Sequence, residues 1–518
     1  MKKDTEQKSR RTRSGSRSGS SQRLAIDQLD WALPSYSDHP VEPVSEDDLQ
    51  RIHDTSMQVL EDIGIVFLNE EALDILAKAG CDVDSANQNV RMDRALVMEM
   101  VNRAPAQFTI TPRNADRMLT IGGKNMVYSS VASAPNVSDL DHGRRVGSRP
   151  DFQNLIRLNQ YFNCLHFIAG YPVEPVDIHA SIRHLDCLYD MLTLSDKVVH
   201  AYSLGSGRIN DGMEMTRIAA GLTEAEFQAK PHMLTNINST SPLKHDWPML
   251  DGAMRCARRG QAVIISPFTL SGAMAPATVA GAIVQQNAEF LAGLVLLQLV
   301  KPHAPVVYGA FTSNVDMKSG SPAFGTPEYI RAMQISGQLA RRYRLPWRGS
   351  VACAANYPDG QSVWESTASL NAVSAGHCNM VYHAAGWLEG GLCASFEKLI
   401  MDCEMLQQMI YLNRPLDLSD DALAFDAIKE VGPGSHFFGA EHTQRRFKDA
   451  FYAPFLSDWR NYEAWEEAGS LTTEKRANAI MKDILAEFTP PPMDASIHDE
   501  LLDFVNKRKA EGGVPTDF

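Results

Sequence analysis

From about residue 125 onward one pattern dominates this chain: an apolar, strand-like run is followed by a helix-like run, and the pair recurs eight times. The strand candidates are Met126–Val131, Cys164–Ala169, Lys197–Ser203, His232–Asn236, Ala262–Ser266, Pro305–Phe311, Trp347–Ala352 and Asn379–His383. The helix candidates follow them, from Asp151–Phe162 to Phe396–Ile410. Such alternation implies a parallel sheet with right-handed crossovers. Eight units fit a (β/α)8 TIM barrel, whose usual size is about 250 residues; a doubly wound open sheet is the alternative. The expected fold is therefore α/β, with an N-terminal α/β cap over residues 31–124, the barrel over 125–415 and a helical C-terminal extension over 416–518. Residues 1–30 are expected to be a disordered basic tail, because residues 1–23 hold eight Lys or Arg and almost nothing apolar.

Charge and composition narrow the function classes. Forty-nine Lys and Arg against 63 Asp and Glu give a net charge of −14, which disfavours nucleic acid as a partner. The longest apolar run, Leu291 to Val300, is well short of the roughly 20 residues of a membrane span. Eight dispersed cysteines without a Cys-x-x-Cys pair form neither a disulfide framework nor a metal site. A cytoplasmic protein without a metal is the expectation.

In a barrel the chemistry sits at the carboxyl ends of the strands. Those ends carry Tyr171, Tyr202, Asn236 with Asn238, Pro267-Phe268, Phe311-Thr312, Cys353 to Tyr357 and His383 to Glu389. The inventory is rich in rings and amides and poor in lysines and clustered acids, which hydrolytic or Schiff-base chemistry would need.

Several segments make the chain recognisable. His383-Ala384-Ala385-Gly386-Trp387-Leu388-Glu389-Gly390-Gly391-Leu392, the following Ala394 to Lys398, Asp139 to Asp151 and Leu60 to Ile65 resemble the trimethylamine:corrinoid methyltransferase family. The resemblance runs from about residue 45 to 410. It implies a TIM barrel that moves a methyl group from a methylamine to the cobalt of a corrinoid (cobalamin) carried by a partner protein, with no cofactor held tightly by this chain. The founding members carry pyrrolysine, whereas this chain has only the standard twenty residues. That departure points to the branch acting on quaternary amines such as glycine betaine.

A quaternary ammonium suits the strand-end inventory. Its leaving group is a neutral tertiary amine, so the protein needs only to bind the cation, orient one methyl and exclude water. Aromatic faces recognise such cations at roughly 0.5–2 kcal/mol per contact. Tyr202, Phe311, Trp347, Tyr357 and Trp387 are the candidate cage, and His383 with Arg348 or Arg331 is the candidate carboxylate clamp. Glu389 either faces the ammonium or braces its loop; it and His383 are the candidate catalytic pair. Two other readings keep to the same residues: a methyl acceptor such as tetrahydrofolate, or a betaine-binding protein without catalysis. Self-association into a homo-oligomer is left open.

Overall fold

The computed structural model describes residues 26–516. Six strands hydrogen-bond in parallel in the order Val127–Ser130, Met380–Ala385, Trp347–Ser350, Val306–Gly309, Ala262–Ile265 and Leu234–Ile237. The two outer strands of this set are joined by single parallel bridges, Ser129 to Phe167, Phe167 to Val198 and His200 to Leu234. The ring closes on eight staves, which excludes the open sheet.

The second and third staves were expected as regular strands over Cys164–Ala169 and Lys197–Ser203. They are held instead by single bridges, and two imidazoles explain why. His166 Nδ1 accepts the Tyr128 N–H at 3.0 Å, and His200 Nε2 accepts the Asn236 N–H at 3.0 Å while its Nδ1 pairs with the Ala169 carbonyl at 2.5 Å. Side-chain nitrogens thus occupy positions that ladder carbonyls would fill, and the regular pattern lapses there.

Eight helices surround the staves, and their starts are written locally. Ser148 and Asp151 form a reciprocal cap with Pro150 in the first turn of Arg149–Tyr161; Thr278, Thr326, Asp359 and Ser395 cap four later helices. The barrel interior holds Val127, Phe167, Val198, Leu234, Ile264, Val307 and Met380. Its amino-terminal end is stoppered by the hairpin Gln107–Ile110 and Leu119–Gly122, whose Ile110, Leu119 and Ile121 join the same cluster.

Among the described residues one helix, Val279–Val300, is long and apolar enough to cross a membrane. It is buried almost all round, because the helices Glu46–Gln58, Glu70–Lys78 and Arg94–Arg103 cover the side that faces away from the barrel. Helices Thr473–Glu487 and Ala495–Ala510 pack on the outer helices. The chain then crosses towards the barrel mouth, where the Val514 N–H donates to Ser181 and Arg208 donates to the Pro515 carbonyl.

The basic tail expected over residues 1–30 lies outside the described residues as far as residue 25. From there the expectation is corrected: Ile26 is buried, and the Leu29 N–H donates to Gln407 at 2.9 Å.

Candidate functional site

A cavity of about 590 Å³ opens where the eight staves end. One wall is apolar. Phe268 stacks on Phe311 with centroids 5.0 Å apart, and Trp387 meets Phe311 edge-on at 6.2 Å and lies 4.2 Å from the His383 ring. The opposite wall carries Tyr171 and Tyr202, in edge contact at 4.7 Å, with Glu174 and Arg183 beside them. Arg348, Tyr382, His200 and Asn236 also line it.

The Arg348 guanidinium is the unusual feature of this site. It is 3% exposed, lies 4.4 Å from the Tyr382 ring and 5.3 Å from Phe311, and reaches only the Ala310 carbonyl at 3.4 Å. No carboxylate among the described residues pairs with it, and burial lowers its pKa. Among the described residues its Nε has no hydrogen-bond partner, and neither have Asn236 Oδ1 and the Tyr382 hydroxyl, all three buried at the same cavity. Buried polar atoms are ordinarily paired, so three unpaired ones around one hollow describe a site shaped for a polar ligand.

Strand alternation sorts neighbours between the two faces of a stave. Trp347 and Arg348 are adjacent, so they cannot both point inwards. Trp347 faces outwards, donating its Nε1–H to the Gly376 and His377 carbonyls, and Gly376 leaves room for its ring. The expectation of Trp347 in the cage is therefore corrected. Tyr382 and His383 are also adjacent, yet both line the cavity. A register shift between Val381 and Ala385 and a positive φ of 56° at His383 re-aim the second side chain. His383 is buried beside Arg348, and burial followed by that positive charge holds its pKa well below the usual imidazole value. It therefore stays neutral, with Nδ1 3.2 Å from the Ser350 hydroxyl.

The loop from Gly386 to Gly391 sets the Trp387 wall. Trp387 donates its Nε1–H to the Cys353 carbonyl at 3.1 Å. Gly391, at φ 103°, lies so close to the indole that a Cβ would come within 2.7 Å of the ring. Glu389 does not line the cavity. It makes a two-pronged ion pair with Arg144 at 2.8 and 2.9 Å, and its N–H donates to Ala355, so it braces the loop rather than facing a ligand. Two further expectations are corrected. Tyr357 is half exposed and hydrogen-bonds Glu474, because the loop after its stave turns away from the mouth. Arg331 lies on the outer side of the helix Pro327–Arg342, in a surface groove with Asp48 and Arg51.

Tyr202, Phe311, Arg348, His383 and Trp387 are thus brought together. Tyr202 is fixed by hydrogen bonds to the Ser133 hydroxyl at 2.6 Å and the Tyr171 N–H at 3.2 Å. Phe268, Tyr171 and Asn236 stood in the strand-end inventory without a role. Glu174, His200 and Tyr382 were missed; His200 and Tyr382 sit inside staves, and Glu174 lies in a loop with no motif around it.

A ring-walled hollow at a barrel mouth, with an unanswered guanidinium and no acid cluster, agrees with what sequence comparison finds. The MTTB pattern, trimethylamine methyltransferase, matches residues 8–513. The chain belongs to the trimethylamine methyltransferase family, and it is a methyltransferase. It is 37% identical to a glycine betaine methyltransferase of Desulfitobacterium hafniense strain Y51, over 93% of this chain and 99% of that one. It is 28% identical to a proline betaine:corrinoid methyltransferase of Eubacterium limosum, over 88% and 96%, and 28% identical to a trimethylamine methyltransferase of Desulfitobacterium hafniense strain DCB-2, over 91% and 94%. A crystal structure of a hydroxylamine complex of MtmB aligns over 90% of this chain and 94% of that one, at 11% identity and a TM-score of 0.47.

Proposed function

We propose that this methyltransferase takes one methyl group from a betaine, a quaternary ammonium bearing a carboxylate, and passes it to the cobalt of a corrinoid held by a partner protein. The observation that carries the reading is the buried Arg348 guanidinium without a carboxylate beneath a ring-walled cavity. A substrate carboxylate completes that charge, with the Tyr382 hydroxyl as a second donor and the neutral His383 alongside. The ammonium then lies outwards among Phe268, Phe311, Trp387, Tyr171 and Tyr202, and one methyl faces the mouth, where the acceptor arrives. Departure of a neutral tertiary amine needs no acid. The protein binds, orients and keeps water out. Residues 125–415 carry this chemistry, with 31–124 and 416–516 as its coverings.

Trimethylamine has no group to answer Arg348, which favours a carboxylated substrate over it. Incubating the protein with cob(I)alamin and a panel of methylated amines, and following the cobalamin spectrum, tests this. Methylation by glycine betaine or a larger betaine, with none by trimethylamine or tetramethylammonium, is expected. Equal turnover of trimethylamine overturns the reading.

Two predictions concern the cation. Trp387→Ala and Phe311→Ala each remove one ring face, at roughly 0.5–2 kcal/mol, so each raises KM by about 2- to 30-fold. Unchanged KM in both removes these rings from the cage. Glu174 is the only carboxylate among the described lining residues; burial raises its pKa above the usual carboxylate value, although Arg183 lies 3.3 Å away. A cation favours the ionised form, so affinity is complete above that raised pKa and falls as Glu174 takes up its proton. Affinity measured against pH should therefore decline on acidification earlier than an ordinary glutamate would cause, and Glu174→Gln should flatten the decline.

A further inference from the structure

We propose, resting on the betaine reading above, that the substrate carries a hydroxyl group on the side of its ammonium remote from the carboxylate, and that His184 is the residue that binds it. His184 lies in the first turn of the helix Arg183–Leu194, on the cavity wall that also holds Tyr171 and Glu174. Its side chain is buried, with the residue 4% exposed. Nε2 lies 2.9 Å from Asp211, in the helix Ser206–Ala219, and Asp211 is held in turn by Arg508 at 2.8 and 3.2 Å. Burial works against the Asp211 charge, yet the bonds from His184 and Arg508 outweigh it and hold the carboxyl below its usual range. An ionised carboxylate only accepts, so Nε2 carries a proton and donates it. Nδ1 is left. It is buried, has no hydrogen-bond partner among the described residues, and belongs to a ring that lines the cavity. The Asp211 bond fixes both the ring's orientation and the nitrogen it presents.

A buried polar atom without a partner is costly, so one at a ligand cavity asks for a ligand group. The neighbours decide which group. A second carboxylate is the lesser fit. Glu174 shares this wall, and the two guanidiniums beside it already have protein partners: Arg183 donates to the Ile178 carbonyl and to Glu174, and Arg208 to the carbonyls of Leu204 and Pro515. The first turn of Ser206–Ala219 is covered as well, because Gly207 lies so close to Val514 that a Cβ would come within 2.6 Å of it. A methyl or methylene group would leave Nδ1 unanswered. A hydroxyl both donates and accepts, and so meets the nitrogen whichever form the ring takes.

The cavity has room for such a molecule. A hollow of about 590 Å³ is of the size that takes drug-sized ligands, more than the smallest betaine fills. A carboxylate on Arg348 and a hydroxyl on His184 hold the substrate at two ends, with the ammonium between them among the rings. Attachment at two points fixes which methyl faces the mouth.

Titration calorimetry on the full chain, with proline betaine and the two epimers of its ring-hydroxylated derivative, tests the proposal, since the ring sets the hydroxyl across from the carboxylate. One epimer is expected to bind about ten- to a hundredfold more tightly than proline betaine. His184→Phe keeps a ring in place and should bring that ratio close to one. A second measurement does not depend on the folding of that variant. In protein isotope-labelled in histidine, the ring-nitrogen resonance that His184→Asn removes should shift further with the tighter epimer than with proline betaine. Epimers that bind no more tightly than proline betaine overturn the proposal and leave the betaine reading intact. A preference that survives His184→Phe overturns it too, as does a resonance that responds alike to all three ligands. Binding of none of the three, with no methylation of cobalamin by any betaine, overturns the betaine reading as well.

Discussion

Arg348→Met is expected to reduce turnover of betaines sharply while leaving the barrel at least as stable as before. The two halves of this result have one cause. The guanidinium is buried against Tyr382 and Phe311, and among the described residues no carboxylate pairs with it and its Nε has no partner. The fold therefore carries a desolvated charge that it does not itself satisfy. Replacing even a paired buried charge by an apolar side chain of similar volume is often neutral or stabilises by about 1–4 kcal/mol. The melting temperature should hold or rise. Removing the group that meets a substrate carboxylate, in contrast, leaves that carboxylate buried and unpaired, at about 2–5 kcal/mol. kcat/KM for glycine betaine should fall by about 30- to several thousand-fold. Glycine betaine should also raise the melting temperature of the wild type and not of the variant, because only a form that binds gains by linkage. A variant that melts several degrees lower yet keeps its turnover would make Arg348 a structural residue.

Lys398→Met is expected to be the most destabilising single change around the Trp387 loop. Lys398 and Asp402 are one turn apart, both buried, and the ammonium also donates to the Ser366 hydroxyl at 2.9 Å. Asp402 in turn accepts the Gly386 N–H at 2.9 Å, immediately before Trp387. Burial holds the Asp402 carboxyl above its usual range even with the ammonium alongside. Taking away Lys398 strands that carboxylate, at about 3–5 kcal/mol. The sign of the pH dependence follows. A carboxyl whose folded pKa exceeds its unfolded one destabilises the fold increasingly as pH rises from the unfolded value to the folded value. The variant's deficit should therefore be largest near neutrality and shrink towards acid. Adding Asp402→Asn should recover most of the loss, since the amide still accepts from Gly386 without a charge. Chemical denaturation at two pH values reads both effects, and a single variant as stable as the wild type at neutral pH would remove the pair from the support of the Trp387 loop.

The chain's repeating pattern was enough for the architecture, because each unit announces itself locally. Ser148 with Asp151, Thr278, Thr326, Asp359 and Ser395 start helices through bonds to their own first turns, and the apolar runs between them can only be staves. The Gly386 to Gly391 block was likewise legible, since its glycines answer to backbone geometry and to the adjacent indole. Orientation was not. Trp347 and Arg348 look alike as strand-end candidates, and only the register of neighbouring staves sends one out and the other in. Tyr382 and His383 break that alternation through a bulge whose cause lies in pairing with Val127–Ser130, some 250 residues earlier. Glu389 reads as a cavity acid until Arg144, on a distant hairpin, is seen to claim it. Capping, periodicity and composition act over a few residues and can be read along the chain. Which side chains share a cavity depends on contacts between residues hundreds of positions apart, and those exist only once the ring of staves has closed.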